Sequence, residues 1–346
     1  MAPYLNRREF FKAGGLTLGA GLISAYGAPF GEDEWSSSRL GRVANSQISL
    51  YSEPRDDSNI LRQFFRDEIL RIYYSLTPAS GPTWNPVWHR VWGGYVHSAN
   101  VQLVELHYQP EIVTLREAGQ LAEVTTPYAD TKRYNRFDGW TPLYRLYYQT
   151  THWATGLDTG PDGTPWYELT DELGDTRFFA PARQLRLIPD EEIAPVSPEL
   201  AFEAKQIDVE LARQTLTAYE NGAVVLHTKI STGINSSQLT NGIPTNTPTG
   251  QFNISVKMPS KHMGEGRLTD NLEDYELVGV PWTAFFDPRG YAIHGTFWHN
   301  NFGTTMSRGC INLPNDAAKW LFRWMSPASP PGNIDTKGFG TTVNIF

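Results

Sequence analysis

Cysteine is almost absent. The 346 residues contain one, Cys310, so neither an internal disulfide nor a multi-thiolate zinc site can form within the chain. Basic residues are fewer than acidic ones, 29 against 37, and the net charge of -8 argues against a broad phosphate-binding surface. No nucleic-acid partner is expected. The eight histidines contain no H-x-x-x-H or H-E-x-x-H pattern, so a zinc hydrolase built on His262, His294 and His299 has little support, and neither metal nor cofactor is expected. Charged residues make up 19% of the chain and hydrophobic ones 40%, a balance that excludes disorder. What is abundant is aromatic and turn-forming: 11 Trp, 30 Gly and 24 Pro point to a β-rich chain of roughly two or three domains.

The N-terminus reads as an address. Asn6-Arg7-Arg8-Glu9-Phe10-Phe11-Lys12 precedes an uncharged Gly/Ala/Leu-rich run from Ala13 to Ala25. That run is too short to span a bilayer comfortably and is shaped like the apolar region of a secretory signal. The arginine pair followed by Phe and Lys resembles the twin-arginine translocation signal. Residues 1–30 are therefore expected to direct export, by cleavage near Ala25-Tyr26-Gly27 or as a retained anchor, with no transmembrane helix in a mature form. The acidic, Ser-rich residues 31–39 read as a linker.

Residues 40–106 and 107–190 each give short β-type runs punctuated by turns. Strands are expected at Gln47 to Tyr51, Ile69 to Tyr74 and Val87 to Trp92, then at Ala122 to Thr125, Tyr144 to Tyr148, Trp166 to Leu169 and Phe178 to Ile188. The halves align internally. Val87-Trp88-His89-Arg90-Val91 parallels Pro165-Trp166-Tyr167-Glu168-Leu169, and the run from Tyr95 to Val104 parallels that from Phe179 to Ile188. The first copy resembles the bacterial Src-homology-3-like barrel attached to wall enzymes, and the second resembles it more loosely. Such modules bind wall material or position a catalytic domain. Trp84, Trp92 and Trp153 are candidates for binding, with packing as the alternative.

Residues 191–202, rich in proline, are expected to lead into a third domain over 203–346. There Ile207 to Leu211 and Leu216 to Glu220 precede the hairpin signal Asn221-Gly222 and a strand from Ala223 to Ile230. Further strands are expected at Phe252 to Lys257, Tyr291 to His294 and Thr342 to Phe346, and a helix at Asp316 to Met325. Lys257 to Gly266 reads as a surface loop, with a flap over the site as the alternative.

The thiol lies in Ser307-Arg308-Gly309-Cys310-Ile311-Asn312, just ahead of the expected helix, whose N-terminal dipole would lower its pKa. Sixteen residues upstream stands His294, at the end of an apolar strand and followed by Gly295, a candidate general base and acid. Together Tyr291-Ala292-Ile293-His294-Gly295-Thr296, Phe302-Gly303 and Ser307-Arg308-Gly309-Cys310-Ile311-Asn312-Leu313 resemble the signature of the L,D-transpeptidase catalytic domain. The likeness continues through Ile207-Asp208-Val209, Ser231-Thr232-Gly233, Thr247-Pro248-Thr249-Gly250 and Gly340-Thr341-Thr342-Val343. Arg308 departs from it, standing where the family usually has His.

The resemblance implies an all-β-dominated chain: two small barrels, then a mixed β-sandwich with a late helix. It implies a peptidoglycan cysteine acyltransferase outside the cytoplasmic membrane, whose partners are a donor tetrapeptide stem and an acceptor stem. Cys310 would be the nucleophile and His294 its acid/base, with the Gly295 carbonyl orienting the imidazole. Backbone N–H groups of Arg308, Gly309 and Cys310 would form the oxyanion hole, Ser307 would buttress the loop, and Tyr291, Trp298 and Asn312 would line the substrate pocket. Loss of D-alanine and attack by a second stem's amine would give a 3-3 cross-link; attack by water would make the same site an L,D-carboxypeptidase. A wall-binding protein with an inert thiol is the remaining alternative. A papain-like order has Cys before His, opposite to this chain, and a sortase needs a catalytic Arg beyond the Cys, a role for which Arg323 within the expected helix is badly placed.

Overall fold

The computed structural model describes residues 39–346 apart from 80, 111–113, 174–175, 235–238 and 241. The expected export segment and all but the last residue of the 31–39 linker lie outside the described residues.

Strand Leu40–Val43 pairs antiparallel with both Ile69–Arg71 and Val101–Val104. Beside this sheet runs a second, in the order Ile60–Phe65, Gln47–Tyr51, Gly94–His97, Trp88–Val91 and Tyr74–Leu76. Val43, Leu50, Phe64, Val91, Val96 and Val101 form the core between them. Residues 120–187 make one seven-stranded antiparallel sheet around Val124, Leu146, Tyr167, Leu169 and Phe178.

One local element recurs in the two segments, although their sheets differ. In each copy a strand, a 3-10 turn and a closing strand follow one another: Gly94–His97, Ser98–Asn100 and Val101–Val104, against Arg177–Pro181, Ala182–Gln184 and Leu185–Leu187. In each the closing strand pairs with the copy's first strand. The run expected to be continuous, Phe178 to Ile188, is thus broken, and the short strand expected at Tyr95 to Val96 lies within Gly94–His97. In the first copy the His97 side chain accepts from the Ala99 N–H and turns the chain; in the second, Pro181 fixes the bend. Trp153 is buried in the core, whereas Trp84 and Trp92 are exposed.

The third segment is a two-sheet sandwich. One sheet has the order Ala223–Lys229, Thr215–Glu220, Lys205–Glu210, Thr342–Ile345 and Gly250–Asn253, and the other Ile311–Leu313, Ala292–Gly295, Glu276–Phe285, Val256–Gly264 and Thr336–Lys337. Ile207, Val209, Ile293, Ile311, Leu321 and Val343 are among the side chains closing the core. The helix Asn315–Trp324 buries Ala318, Leu321, Phe322 and Trp324 on one face, the spacing of an amphipathic helix. The expected linker is no loose spacer. Its short helix Asp190–Ile193 buries Ile193, and the Val196 N–H donates to the Arg323 carbonyl.

One expectation is overturned. Lys257 to Gly266 is not a surface loop, because Val256–Gly264 is a nine-residue strand paired with Glu276–Phe285. Its inward positions carry Lys257 and His262, whose polarity conceals the strand. Lys257 is fully buried, and its Nζ donates to the carbonyls of Met325 at 2.7 Å and Pro327 at 2.9 Å. Lys205 donates to the Trp324 carbonyl at 2.8 Å, so two lysines cap the helix C-terminus. Burial, with the Lys205 charge adding to it, lowers the Lys257 pKa to about 7. Lys257→Met should cost about 1–3 kcal/mol by leaving buried carbonyls unpaired; unchanged thermal unfolding would refute this capping role.

Two polar clusters join the segments. The His262 imidazole lies between Asp171 of the second copy at 2.5 Å and Glu276 at 2.8 Å, all three side chains buried. Arg42 donates to Asp67 at 2.8 Å, to Gln102, and to the Phe297 carbonyl at 2.8 Å, with the Tyr147 ring centre 4.0 Å from its guanidinium carbon.

Candidate active site

The parallel pair Ala292–Gly295 and Ile311–Leu313 builds the site. Its register sets Ile293 beside Ile311 and His294 beside Asn312. Ile293, Ile311 and Leu313 are buried in the core, so the two-residue alternation turns His294, Asn312 and the adjoining Cys310 to the other face. There Cys310 and His294 line one cavity of about 320 Å3 together with Tyr291, Trp298 and Tyr275.

The loop carrying the thiol is held by short hydrogen bonds. Ser307 Oγ donates to the Cys310 carbonyl at 2.5 Å and accepts from the Gly309 N–H at 3.1 Å. Thr247 Oγ1 donates to the Gly309 carbonyl at 2.8 Å and accepts from the Gly233 N–H at 2.9 Å. Gly309 has φ 112°, and a Cβ there would run into the Tyr291 ring. Tyr291 cannot withdraw easily, since its hydroxyl donates to the Pro244 carbonyl at 2.8 Å. Of the three backbone donors assigned to an oxyanion hole, the Gly309 N–H is therefore engaged by Ser307. The Arg308 and Cys310 N–H groups have no hydrogen-bond partner among the described residues.

The electrostatics of the thiol are also different from expectation. The strand Ile311–Leu313 separates Cys310 from the helix, which begins only at Asn315, so the helix N-terminus is not at the sulfur. Arg308 does not supply a neighbouring charge through a hydrogen bond; its guanidinium carbon lies 4.2 Å from the Tyr275 ring centre. The Cys310 residue is partly exposed at the cavity wall, but its sulfur is densely surrounded. Burial pushes its pKa up to about 11 against the opposing pull of the Ala292 N–H.

His294 is buried, and its Nδ1 lies 2.8 Å from the Gly295 carbonyl. A proton on that nitrogen leaves Nε2 as the basic atom. Burial lowers its pKa to about 4, while the Gly295 contact works weakly in the other direction. The raised thiol and the lowered imidazole both favour their neutral forms near pH 7; an attack by the thiol would then be accompanied by proton transfer instead of preceded by it. Acylation should therefore show no inflection near pH 6.5 and lose its base only as pH falls toward about 4. Adduct formation followed from about pH 5 to pH 9 tests this; a limb centred near 6.5 would mean that a charged pair forms first.

Trp298 is half-buried with its ring centre 5.6 Å from that of His294. Asn312 is buried, its amide nitrogen 2.9 Å from His299 Nε2. His299 thus supports the pocket, a place the sequence reading did not give it. Tyr275, Leu277 and Met263, also in the wall, belong to or adjoin a strand pair whose register no local pattern reveals. Among the described residues no group of three or more His, Cys, Asp or Glu side chains is arranged to hold a metal ion. Arg323 lies away on the helix, donating to the Ala194 carbonyl at 2.8 Å.

Comparison with known proteins points to the same region. Residues 204–345 match the family model of the L,D-transpeptidase catalytic domain. Over 81 residues the chain is 33% identical to YqjB of Bacillus subtilis (strain 168), a protein provisionally named an L,D-transpeptidase; the match covers 22% of this chain and 46% of the relative. The chain thus spans about half the length of the curated relative it matches. The solved catalytic domain of an E. faecium L,D-transpeptidase is 27% identical, with 41% of this chain and 96% of that one covered and a TM-score of 0.30. An L,D-transpeptidase from Xylanimonas cellulosilytica is 26% identical, with 41% and 60% covered and a TM-score of 0.30. The cavity holding Cys310 and His294 lies inside the span, residues 204–345, that matches the L,D-transpeptidase catalytic-domain family model.

Proposed function

We infer that the chain is an exported peptidoglycan L,D-transpeptidase that forms 3-3 cross-links through a thioester on Cys310. The observation that carries this reading is one cavity walled by the only thiol and by an imidazole whose Nδ1 is engaged, leaving Nε2 basic. Cys310 Sγ attacks the carbonyl carbon of the donor stem's third residue, whose C–N bond to D-alanine is to break, as His294 Nε2 takes the thiol proton. The developing oxyanion is met by the unengaged N–H groups of Arg308 and Cys310, donors of a kind typically worth about 3–4 kcal/mol. His294 then returns the proton to the leaving D-alanine amine. An amine of a second stem attacks the thioester and restores the thiol.

Export is supported by the Arg7-Arg8 motif and its apolar run, and by the wall substrates on which the family acts. No helix among the described residues is long and apolar enough to cross a membrane. The two N-terminal copies are read as barrels that position the catalytic domain.

Intact-mass spectrometry after incubation with a carbapenem, and separately with a disaccharide-tetrapeptide, tests the function. The wild type should gain a covalent adduct and release D-alanine, and Cys310→Ala should do neither. A folded wild-type protein with a free thiol that gains no mass from either compound would refute the thioester mechanism. Release of free tripeptide with no cross-linked product, when an acceptor is present, would identify a carboxypeptidase instead.

A further inference from the structure

A second chamber of about 480 Å3 adjoins the reaction cavity and shares Tyr275, Leu277, Trp298 and Arg308 with it. Its far walls come from outside the catalytic segment: Arg42 and Arg66 from the first copy, and Arg145 and Tyr147 from the second. Most of its charges are already paired. Arg42 bonds to Asp67, Arg145 to Asp67 and Asp130, and Arg66 stands 3.6 Å from Glu273. Glu276 belongs to the His262 cluster.

Arg308 is different. It is exposed, two residues ahead of the nucleophile, and its guanidinium has no ion pair or hydrogen bond among the described residues. The Tyr275 ring beneath it holds the planar fork at the junction of the two cavities without occupying its N–H donors. The other chamber charges without an ion pair among the described residues are the carboxylates Asp270 and Asp274. A cation without an ion pair near the nucleophile and two carboxylates without one in the same chamber suit a guest that carries both signs.

Resting on the transpeptidase reading, we propose that this chamber seats the acceptor, and that Arg308 selects an acceptor whose attacking amine stands beside a carboxylate. The guanidinium binds that carboxylate through two parallel hydrogen bonds, which brings the neighbouring amine to the thioester. The amine nitrogen bonds to the carbonyl carbon and the C–S bond breaks. His294 takes the amine proton and returns it to the Cys310 sulfur.

The test uses the whole chain, acylated by a disaccharide-tetrapeptide whose own third-residue amine is acetylated. The acyl-enzyme is challenged with mono-N-acetyl-diaminopimelate, whose free amine has a carboxylate on the same carbon, or with N-alpha-acetyl-lysine, whose free amine does not. The wild type should show an acceptor KM at least about tenfold lower for the first amine, the strength of one charged hydrogen-bonded contact. Arg308→Gln should shrink that ratio to within about twofold, and Arg308→Lys should keep part of it. Because a ratio between two amines on one acyl-enzyme is read, changes in acylation rate cancel. A ratio near unity in the wild type, or one that survives in Arg308→Gln, overturns the subsite alone. Failure of the wild type to form any acyl-enzyme overturns the function and the subsite together.

Discussion

Gly309→Ala should reduce acyl-enzyme formation by about 100-fold or more while leaving the protein folded. The added methyl points at the Tyr291 ring, from a backbone at φ 112° that side chains rarely adopt. Neither side yields readily. Tyr291 is tethered through its hydroxyl to Pro244, and the Gly309 carbonyl is tethered to Thr247. The strain, about 1–3 kcal/mol, must be relieved by moving the loop that carries Cys310, and misplacing a nucleophile by about an ångström is enough for a loss of this size. Gly332→Ala is the control, since that residue has φ 91° in open space and meets backbone strain without a clash. Carbapenem acylation of Gly309→Ala at a rate within about threefold of wild type would remove the argument for loop rigidity.

His262→Ala should destabilise the protein by about 3–5 kcal/mol, the usual consequence of leaving buried charge without its partner. Asp171 and Glu276, both buried, would face one another with no cation between them. Burial opposes the charge on His262, but the hydrogen bonds and charges of Asp171 and Glu276 outweigh it and hold the pKa above the usual 6.5. Burial likewise opposes the Asp171 charge, and the His262 hydrogen bond outweighs it, holding that carboxyl below its ordinary 3.8. The imidazole's contribution is then complete below about 6.5 and fades as pH rises through the raised value, while that of Asp171 fades as pH falls below the carboxylate range. Thermal unfolding of the wild type should therefore weaken on the alkaline side, and the His262→Ala protein should lack that component. Equal melting temperatures for the two proteins at pH 6 would exclude a stabilising role for the cluster.

Local sequence carried much of the architecture. Asn221-Gly222 marks a hairpin because two adjacent residues must take positive φ, as both do here at 48° and 82°. The helix Asn315–Trp324 likewise declares itself through nearby residues, whereas the 3-10 turn Ala182–Gln184 inside the run from Phe178 to Ile188 does not. The strand Val256–Gly264 does not, because its inward lysine and histidine are satisfied by carbonyls and carboxylates far away in sequence. The thiol's environment was concealed for a related reason. Nearness to a helix in sequence suggests a lowered pKa, but the three-residue strand Ile311–Leu313 intervenes and packing dominates. His299 and Tyr275 enter the site through tertiary contact alone.

Arg42 gives the chain a dependence between its ends. Its guanidinium is buried in the first copy, yet one of its acceptors, the Phe297 carbonyl, lies 255 residues later. Its partner Asp67 is shared with Arg145 of the second copy. A first copy made without the rest would lose the acceptor at Phe297 and leave Asp67 with one of its two cations. The three segments are consequently thermodynamic parts of one another. Excising the catalytic segment would remove interactions on which the other two depend, and shortening the chain from either end would loosen the remainder well before any catalytic residue is reached.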